Sequence, residues 1–372
     1  RNRTTAGLAV MIGKEGTQMD SDHAAAEQAP KHQRRVRYKG THPKNFKEKY
    51  KELQPEQYAE TVAKIRQKGS TPAGMHISIC VKEILAFLQI TPGQTGLDAT
   101  LGYGGHTLEM LKCLKSEGRL YALDVDPLEL PRTQERLERL GYGEEILKIR
   151  QMNFCRIDDV AAEAGLFDFV LADLGVSSMQ IDNPDRGFSF RSDGPLDLRL
   201  NPHTGSTAAN RLRKLTTEEL QDILVENADE PHAAAIARAI SNAMKNGLSI
   251  TTTTQLRDLI KQALKGTPQI TEEEIKKSCQ RTFQALRIDI NHEFEVLDEF
   301  LEKLPDVLAS GGRVAILTFH SGEDRRVKKS FKYYLREGLY REIADEPIRP
   351  SAEECHANSR ARSAKLRWAI RA

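Results

Sequence analysis

Residues 169–190 read FVLADLGVSSMQIDNPDRGFSF, an apolar run that ends on a carboxylate, Asp173, and opens into Gly, Ser, Asp, Asn and Pro. A buried strand of an α/β protein ordinarily turns quickly into a helix. A strand that closes on Asp173 and then unwinds puts a proton acceptor at the carboxyl edge of the sheet, where open α/β folds bind ligands. Such a carboxylate can hold one N–H of an amine and turn the nitrogen lone pair toward an electrophile. It can equally be a ligand contact with no chemistry, and the residues leave both readings open.

A second constellation lies upstream, in LDATLGYGGHT at 97–107. Gly102, Gly104 and Gly105 allow a tight turn and a close approach of backbone to ligand, and the helix that follows offers unpaired N–H groups. A dinucleotide site wants a third glycine at the helix start. Thr107 stands there instead, and Asp98 precedes the glycines in a D-x-x-x-G-x-G order that suits S-adenosylmethionine. Asp124 ends the next strand, LYALDVD, where a carboxylate can accept both ribose hydroxyls of either cofactor. Asp126, before Pro127, is the better candidate for capping the next helix. Phe154, after the third strand, can lie against an adenine or simply be core.

The loop NPDRGFSFRSDGPLDLRL at 183–200 interleaves cations with aromatics. Arg186, Arg191 and Arg199 can meet phosphates while Phe188 and Phe190 stack on unpaired bases. The competing reading is internal: an Asp185–Arg186 pair, with the phenylalanines as packing anchors.

The elements that must position these residues alternate. Strands are predicted in TGLDATLG, GRLYALDVD, EILKIRQMN and FDFVLADLG, with helices in VKEILAFLQI, HTLEMLKCL and PLELPRTQERLERLG. This is the pattern of a mainly parallel sheet covered on both faces. From about 180 to 280 the apolar spacing is helical only, as in TTEELQDILVENA and PHAAAIARAISNAMKNG, and reads as an inserted helical module. RTFQALRIDINHEFEVLDEFLEKL reads as one amphipathic helix with Phe283, Leu286, Ile290, Phe294 and Leu297 on a single face. GGRVAILTFHS then resumes the strand signal, and His320 within it is assigned a structural role.

The chain of 372 residues has a net charge of only +2, so its basic clusters matter more than its total. Residues 31–51 and the tail NSRARSAKLRWAIRA are strongly basic and favour a polyanionic partner, or else are solvated arms. Five cysteines without metal-ligand spacing argue for a reducing interior and against structural zinc. No apolar run is long enough to span a membrane. Residues 1–30 have no periodicity and read as disordered.

The quoted motifs, with RTFQALRIDINHEF, LTFHSGEDRRVKKSF and NSRARSAKLR, resemble those of the MraW/RsmH family, bacterial 16S rRNA (cytosine-N4)-methyltransferases. The similarity runs from about His76 to the end. It implies a class I S-adenosylmethionine-dependent methyltransferase: an α/β, Rossmann-like, mainly parallel sheet with an inserted all-helical domain. Together with the readings above, the expected organisation is a disordered segment 1–30, a basic extension 31–74, methyltransferase parts 75–180 and 281–372, and an RNA-recognition insert 181–280. The last part carries the basic tail. The implied reaction is methylation of N4 of cytidine C1402 in 16S rRNA, with Asp173 catalytic. The implied cofactor contacts are Gly104, Gly105, His106, Asp124, Phe154, Asp173 and Gln180. The candidate substrate contacts are Arg186, Phe188, Arg191 and Arg199. No metal is implied. The partner is the small ribosomal subunit, the expected place is the bacterial cytoplasm rather than an organelle, and a homodimer stays open. The alternative is a noncatalytic RNA-binding assembly factor that retains the pocket. Two departures stand out: Gly322 replaces a leucine of the family run, and VENADEPHAAAIARAI replaces a Tyr-Gly-Glu-Glu run.

Overall fold

The structure, a computed structural model, describes residues 78–268 and 270–372. The expectations for segment 1–30, for the basic extension 31–74 and for a short helix around residues 55–69 lie outside the described residues.

Seven strands form one sheet: β1 Thr95–Asp98, β2 Arg119–Asp124, β3 Leu147–Gln151, β4 Phe167–Asp173, β5 Leu308–Thr318, β6 Tyr340–Ile343 and β7 Lys365–Arg371. Their order is β3-β2-β1-β4-β5-β7-β6. The first five run parallel, and β7 lies antiparallel between β5 and β6. This is the class I methyltransferase fold. β4 shows why the parallel strands read as unbroken apolar runs: Phe169 and Leu171 enter the core on one face, Val170 and Ala172 the core on the other. A strand covered on both faces has no polar side. Strand order reverses between β1 and β4, and the crevice at their carboxyl ends is the place where such sheets bind ligands.

Between β4 and β5 the chain is helical. Its main helices, Thr217–Ala228, Ala233–Lys245, Thr253–Leu264 and Glu272–Asn291, share a hydrophobic core separate from the two that flank the sheet. Thr216, Thr252 and Thr271 each begin a helix with a capping box, closed by Glu219, Gln255 and Glu274. Each box satisfies two backbone donors that the helix start leaves open.

The sequence reading needs correcting in two places here. The stretch 281–304 is not one helix: Glu272–Asn291 and Glu293–Val307 meet at His292, which adopts the left-handed conformation with φ 52°. The break divides the expected apolar face. Phe283 and Leu286 pack into the helical core, whereas Leu297 packs under the sheet. Asn291 sets the corner, accepting from the Leu200 N–H and donating to the Leu198 and Arg287 carbonyls. The helix Glu272–Asn291 also runs through residue 280, where the insert was expected to end.

The basic tail is not an arm. Its last residues form β7, with Leu366, Ala369 and Ile370 buried. Arg367, 4% exposed, donates through Nε to Asp324 Oδ1 at 2.6 Å, and Lys365 Nζ reaches Asp324 Oδ2 at 2.7 Å. Burial alone would raise the Asp324 carboxyl, but these two cations outweigh it and hold it below the usual carboxylate range. Among the described residues no helix is long and apolar enough to cross a membrane.

Candidate active site

A cavity of about 360 Å³ opens at the carboxyl ends of β1, β2 and β4, and the helical part supplies its far wall through Ile181, Leu200, Gln284 and Arg287. The glycine turn forms one side. Gly102 and Gly104 have φ of 50° and 70°, a region that favours glycine. The Thr133 hydroxyl donates to the Gly102 carbonyl at 2.7 Å and fixes the turn from the neighbouring helix. Gly105 opens the helix Gly105–Leu114, and a Cβ there would overlap the Ser78 hydroxyl. Thr107, in the place of a dinucleotide site's third glycine, donates its hydroxyl to Asp98 Oδ2 at 2.6 Å. Asp98 is fully buried and also accepts the Thr100 N–H, so this acid ties helix to strand below the turn and does not reach the cavity. Burial raises its carboxyl despite those bonds.

Asp124 ends β2 facing the same turn. One carboxylate oxygen accepts the Gly102 N–H at 2.7 Å and the other the Asp126 N–H at 2.9 Å. Each oxygen keeps a second lone pair, the acceptor set that a vicinal diol requires. Burial pushes this carboxyl up to about 6, with its two N–H bonds opposing. Phe154 lines the cavity half-buried, edge-on to Phe300 at 5.1 Å.

Asp173 ends β4 with its backbone N–H donated to Thr100 Oγ1 at 2.7 Å. Its carboxylate lines the cavity and keeps 23% of its surface open, although the surrounding protein pushes its pKa up to about 6. Burial is the largest cause, His106 opposes it, and Asp98 and Glu323 add to it. His106 Nδ1 lies 3.5 Å from Asp173 Oδ2, and its Nε2 lies 2.9 Å from the Ile79 carbonyl oxygen. Gln180 closes the capping box of the helix Ser178–Asp182: its Oε1 accepts the Ser177 N–H and its Nε2 donates to Asp126 Oδ2.

The structure therefore gathers Gly104, Gly105, His106, Asp124, Phe154, Asp173 and Gln180 around one cavity. None of the four candidate substrate contacts joins them. Arg186 is 5% exposed and engaged: Nη1 meets Asp126 Oδ2 at 2.7 Å, and Nη2 donates to the Leu200 and Arg199 carbonyls. Its partner is Asp126, not the adjacent Asp185. Phe188 is buried in the helical core, 5.6 Å from the Arg186 guanidinium, and presents no face to a base. Arg199 forms a two-pronged pair with Asp197 at 2.7 and 2.8 Å. Its remaining nitrogen lies against the Thr204 and Gly205 carbonyls. The polar loop thus folds on its own charges. Arg191 alone is exposed, with no side-chain partner among the described residues.

The cavity also holds groups that spacing did not single out. Arg287 makes a forked pair with Glu293 at 2.8 and 2.9 Å. Arg360 pairs with Asp182 at 2.7 Å. His320 caps the helix Ser321–Arg336 in a box with Glu323, and its Nε2 lies 3.2 Å from Glu323 Oε1 without the alignment of a hydrogen bond. These residues come from RIDINHEF, FHSGEDRR and NSRARS, far apart in the chain. Only folding brings them together, so no local spacing reveals them.

Comparison with known proteins shows the family. The model of the MraW methylase family matches residues 73–372. The chain belongs to the MraW methylase family. It is similar to "Ribosomal RNA small subunit methyltransferase H 2" of Alkaliphilus metalliredigens, 73% identical over 92% of this chain and 98% of that protein. It is likewise similar to "Ribosomal RNA small subunit methyltransferase H 1" of Lachnoclostridium phytofermentans, 69% identical over 93% and 94%. Among solved structures, a putative rRNA methylase from Clostridium thermocellum aligns over 80% of this chain and all of its own, at 11% identity and a TM-score of 0.39. As an MraW-family methyltransferase the chain uses S-adenosylmethionine. Its residues fit that group: the glycine bend admits no side chain at 104 or 105 without displacing a neighbour, and Asp124 retains acceptors for a diol.

Proposed function

We propose that this chain methylates the exocyclic N4 of a cytidine in small-subunit ribosomal RNA, the position that its family resemblance identifies as C1402. The observation that carries this reading is Asp173, an acceptor open to the cavity beside the glycine turn. The names of the 73% and 69% identical relatives support small-subunit rRNA as the substrate.

In this reading Gly104, Gly105, the His106 backbone, Asp124, Phe154 and the flank of Gln180 hold S-adenosylmethionine, with Asp124 accepting the ribose hydroxyls. When bound, the cofactor supplies a methyl group on a cationic sulfur. A cytosine amine is a poor nucleophile because its lone pair delocalises into the ring. Asp173 accepts one N–H of that amine, holds the nitrogen pyramidal and directs its lone pair along the line of transfer. As nitrogen bonded the methyl carbon, that carbon's bond to sulfur would break with its pair left on sulfur, the nitrogen would become cationic, and one N–H proton would pass to Asp173 while its bonding pair stayed on nitrogen. Alignment of this kind is worth about 7 kcal/mol for an effective molarity of roughly 10⁵ M.

The chemistry favours nitrogen over ring carbon. Methylation of a pyrimidine carbon calls for a thiolate that first adds to the ring, and among the described residues no cysteine lines the cavity. The base must leave its stack to enter, and the helical part between β4 and β5 forms the wall it passes. We place the reaction in the bacterial cytoplasm, where small subunits are assembled. Mass spectrometry of small-subunit rRNA from cells lacking this gene and any paralogue tests the reading. N4-methylcytidine should disappear from one position and return when the gene is restored. Undiminished modification would overturn it.

A further inference from the structure

His106 enters the reading above only through its backbone, yet its ring is buried, anchored at Nε2 and within ion-pair distance of Asp173 at Nδ1. Nε2 lies 2.9 Å from the Ile79 carbonyl oxygen, which can only accept, so Nε2 carries a hydrogen. Nδ1 lies 3.5 Å from Asp173 Oδ2. In a neutral ring with its hydrogen on Nε2, two acceptors would face each other there. With a second proton on Nδ1, the ring instead turns a cation toward that carboxylate at ion-pair distance.

We propose that His106 is the positioning residue for Asp173: its imidazolium, anchored by Nε2–H on Ile79, directs Nδ1–H at Asp173 and keeps that side chain a carboxylate able to accept the substrate amine. This rests on the reading of Asp173 as the amine acceptor.

The groups around Asp173 leave His106 alone in this role. Asp98 from β1 and Glu323 from the helix Ser321–Arg336 both raise the Asp173 carboxyl, as burial does. Cys80, at the start of the helix Val81–Leu88, has a thiol that burial pushes up to about 12, so it stays neutral. Among the described residues, His106 is the one group that favours the charged form. Without it, a buried acid among acids takes up a proton, and a protonated carboxyl that keeps its own hydrogen is a poor acceptor.

His106→Gln keeps a donor that can reach the Ile79 carbonyl but cannot carry charge. An opposite charge within about 4–6 Å lowers a carboxyl pKa by about 1–3 units. The acid limb of kcat should therefore move up by about that much in the variant. The KM for RNA should change little, and activity should recover at higher pH. Two spectra on the unliganded protein stand apart from activity. Histidine-labelled ¹⁵N spectra should show both His106 nitrogens carrying a hydrogen at the pH of the assay. Carboxyl ¹³C spectra should show Asp173 titrating at higher pH in His106→Gln. Nε2 found bare, or Asp173 titrating at the same pH in both proteins, overturns the proposal. Spectra that agree, in a protein that fails to methylate RNA, would overturn the function and leave the pair intact.

Discussion

Arg186→Met separates a structural cation from a phosphate contact. Asp126 is 1% exposed and receives Arg186 Nη1 at 2.7 Å, Gln180 Nε2 at 2.7 Å and the Leu128 N–H at 2.9 Å. Methionine fills similar volume but withdraws the guanidinium from that carboxylate, and two loop carbonyls lose the Nη2 donor. Breaking a buried pair from one side costs about 3–5 kcal/mol. For a domain of 150–250 residues, each kcal/mol lowers the melting midpoint by about 2–4 °C, so the drop should be about 6–20 °C. Asp126→Asn in the same chain should recover much of the loss, since the orphaned charge is gone. Thermal unfolding by circular dichroism measures both variants. An Arg186→Met protein that melts like the parent, while its RNA affinity loses about one unit of salt slope, would place Arg186 on phosphate and refute the reasoning.

Other expectations follow from neighbouring residues. Arg191→Ala should leave the melting midpoint unchanged and lower the salt slope of RNA binding by about one, measured by filter binding over a salt series, whereas Arg199→Ala should lower the midpoint instead. Cofactor affinity should fall as pH drops through about 6, because Asp124 then takes a proton in place of a ribose hydroxyl; calorimetry at several pH values checks it. In the unliganded protein the sign reverses. A carboxyl raised from 3.8 to about 6 stabilises the fold below about 4, and that contribution is lost as pH rises through 6. Gly322→Leu should destabilise by about 1–3 kcal/mol, since a Cβ there would sit 2.5 Å from the Phe294 ring. Phe294→Ala should relieve the clash, visible as coupling in a double-mutant cycle of urea unfolding.

The parallel strands were legible because each is apolar through its whole length, and FDFVLAD could face nothing but protein. The glycine turn, Asp124 and Asp173 were legible for a related reason: each stands at a strand end, where local sequence alone fixes position. β7 was hidden because Lys365, Arg367 and Arg371 make it look like a solvent arm. Asp324, which neutralises two of them, lies on another element. The corner at His292 was hidden because the apolar period continues across it, and only Asn291's bonds to the distant loop reveal the turn. The loop cations misled for the same reason. Arg186 and Asp126 are sixty residues apart, and no spacing rule joins them.

The central claim concerns Asp173, and Asp173→Ala measures it most directly when cofactor binding and methyl transfer are followed in the same protein. Calorimetry should show S-adenosylmethionine binding within a few-fold of the parent, because the glycine turn and Asp124 are untouched. Transfer to small-subunit rRNA should fall by roughly 10²–10⁴-fold. Transfer at close to the parental rate, with the cofactor still bound, would contradict the account.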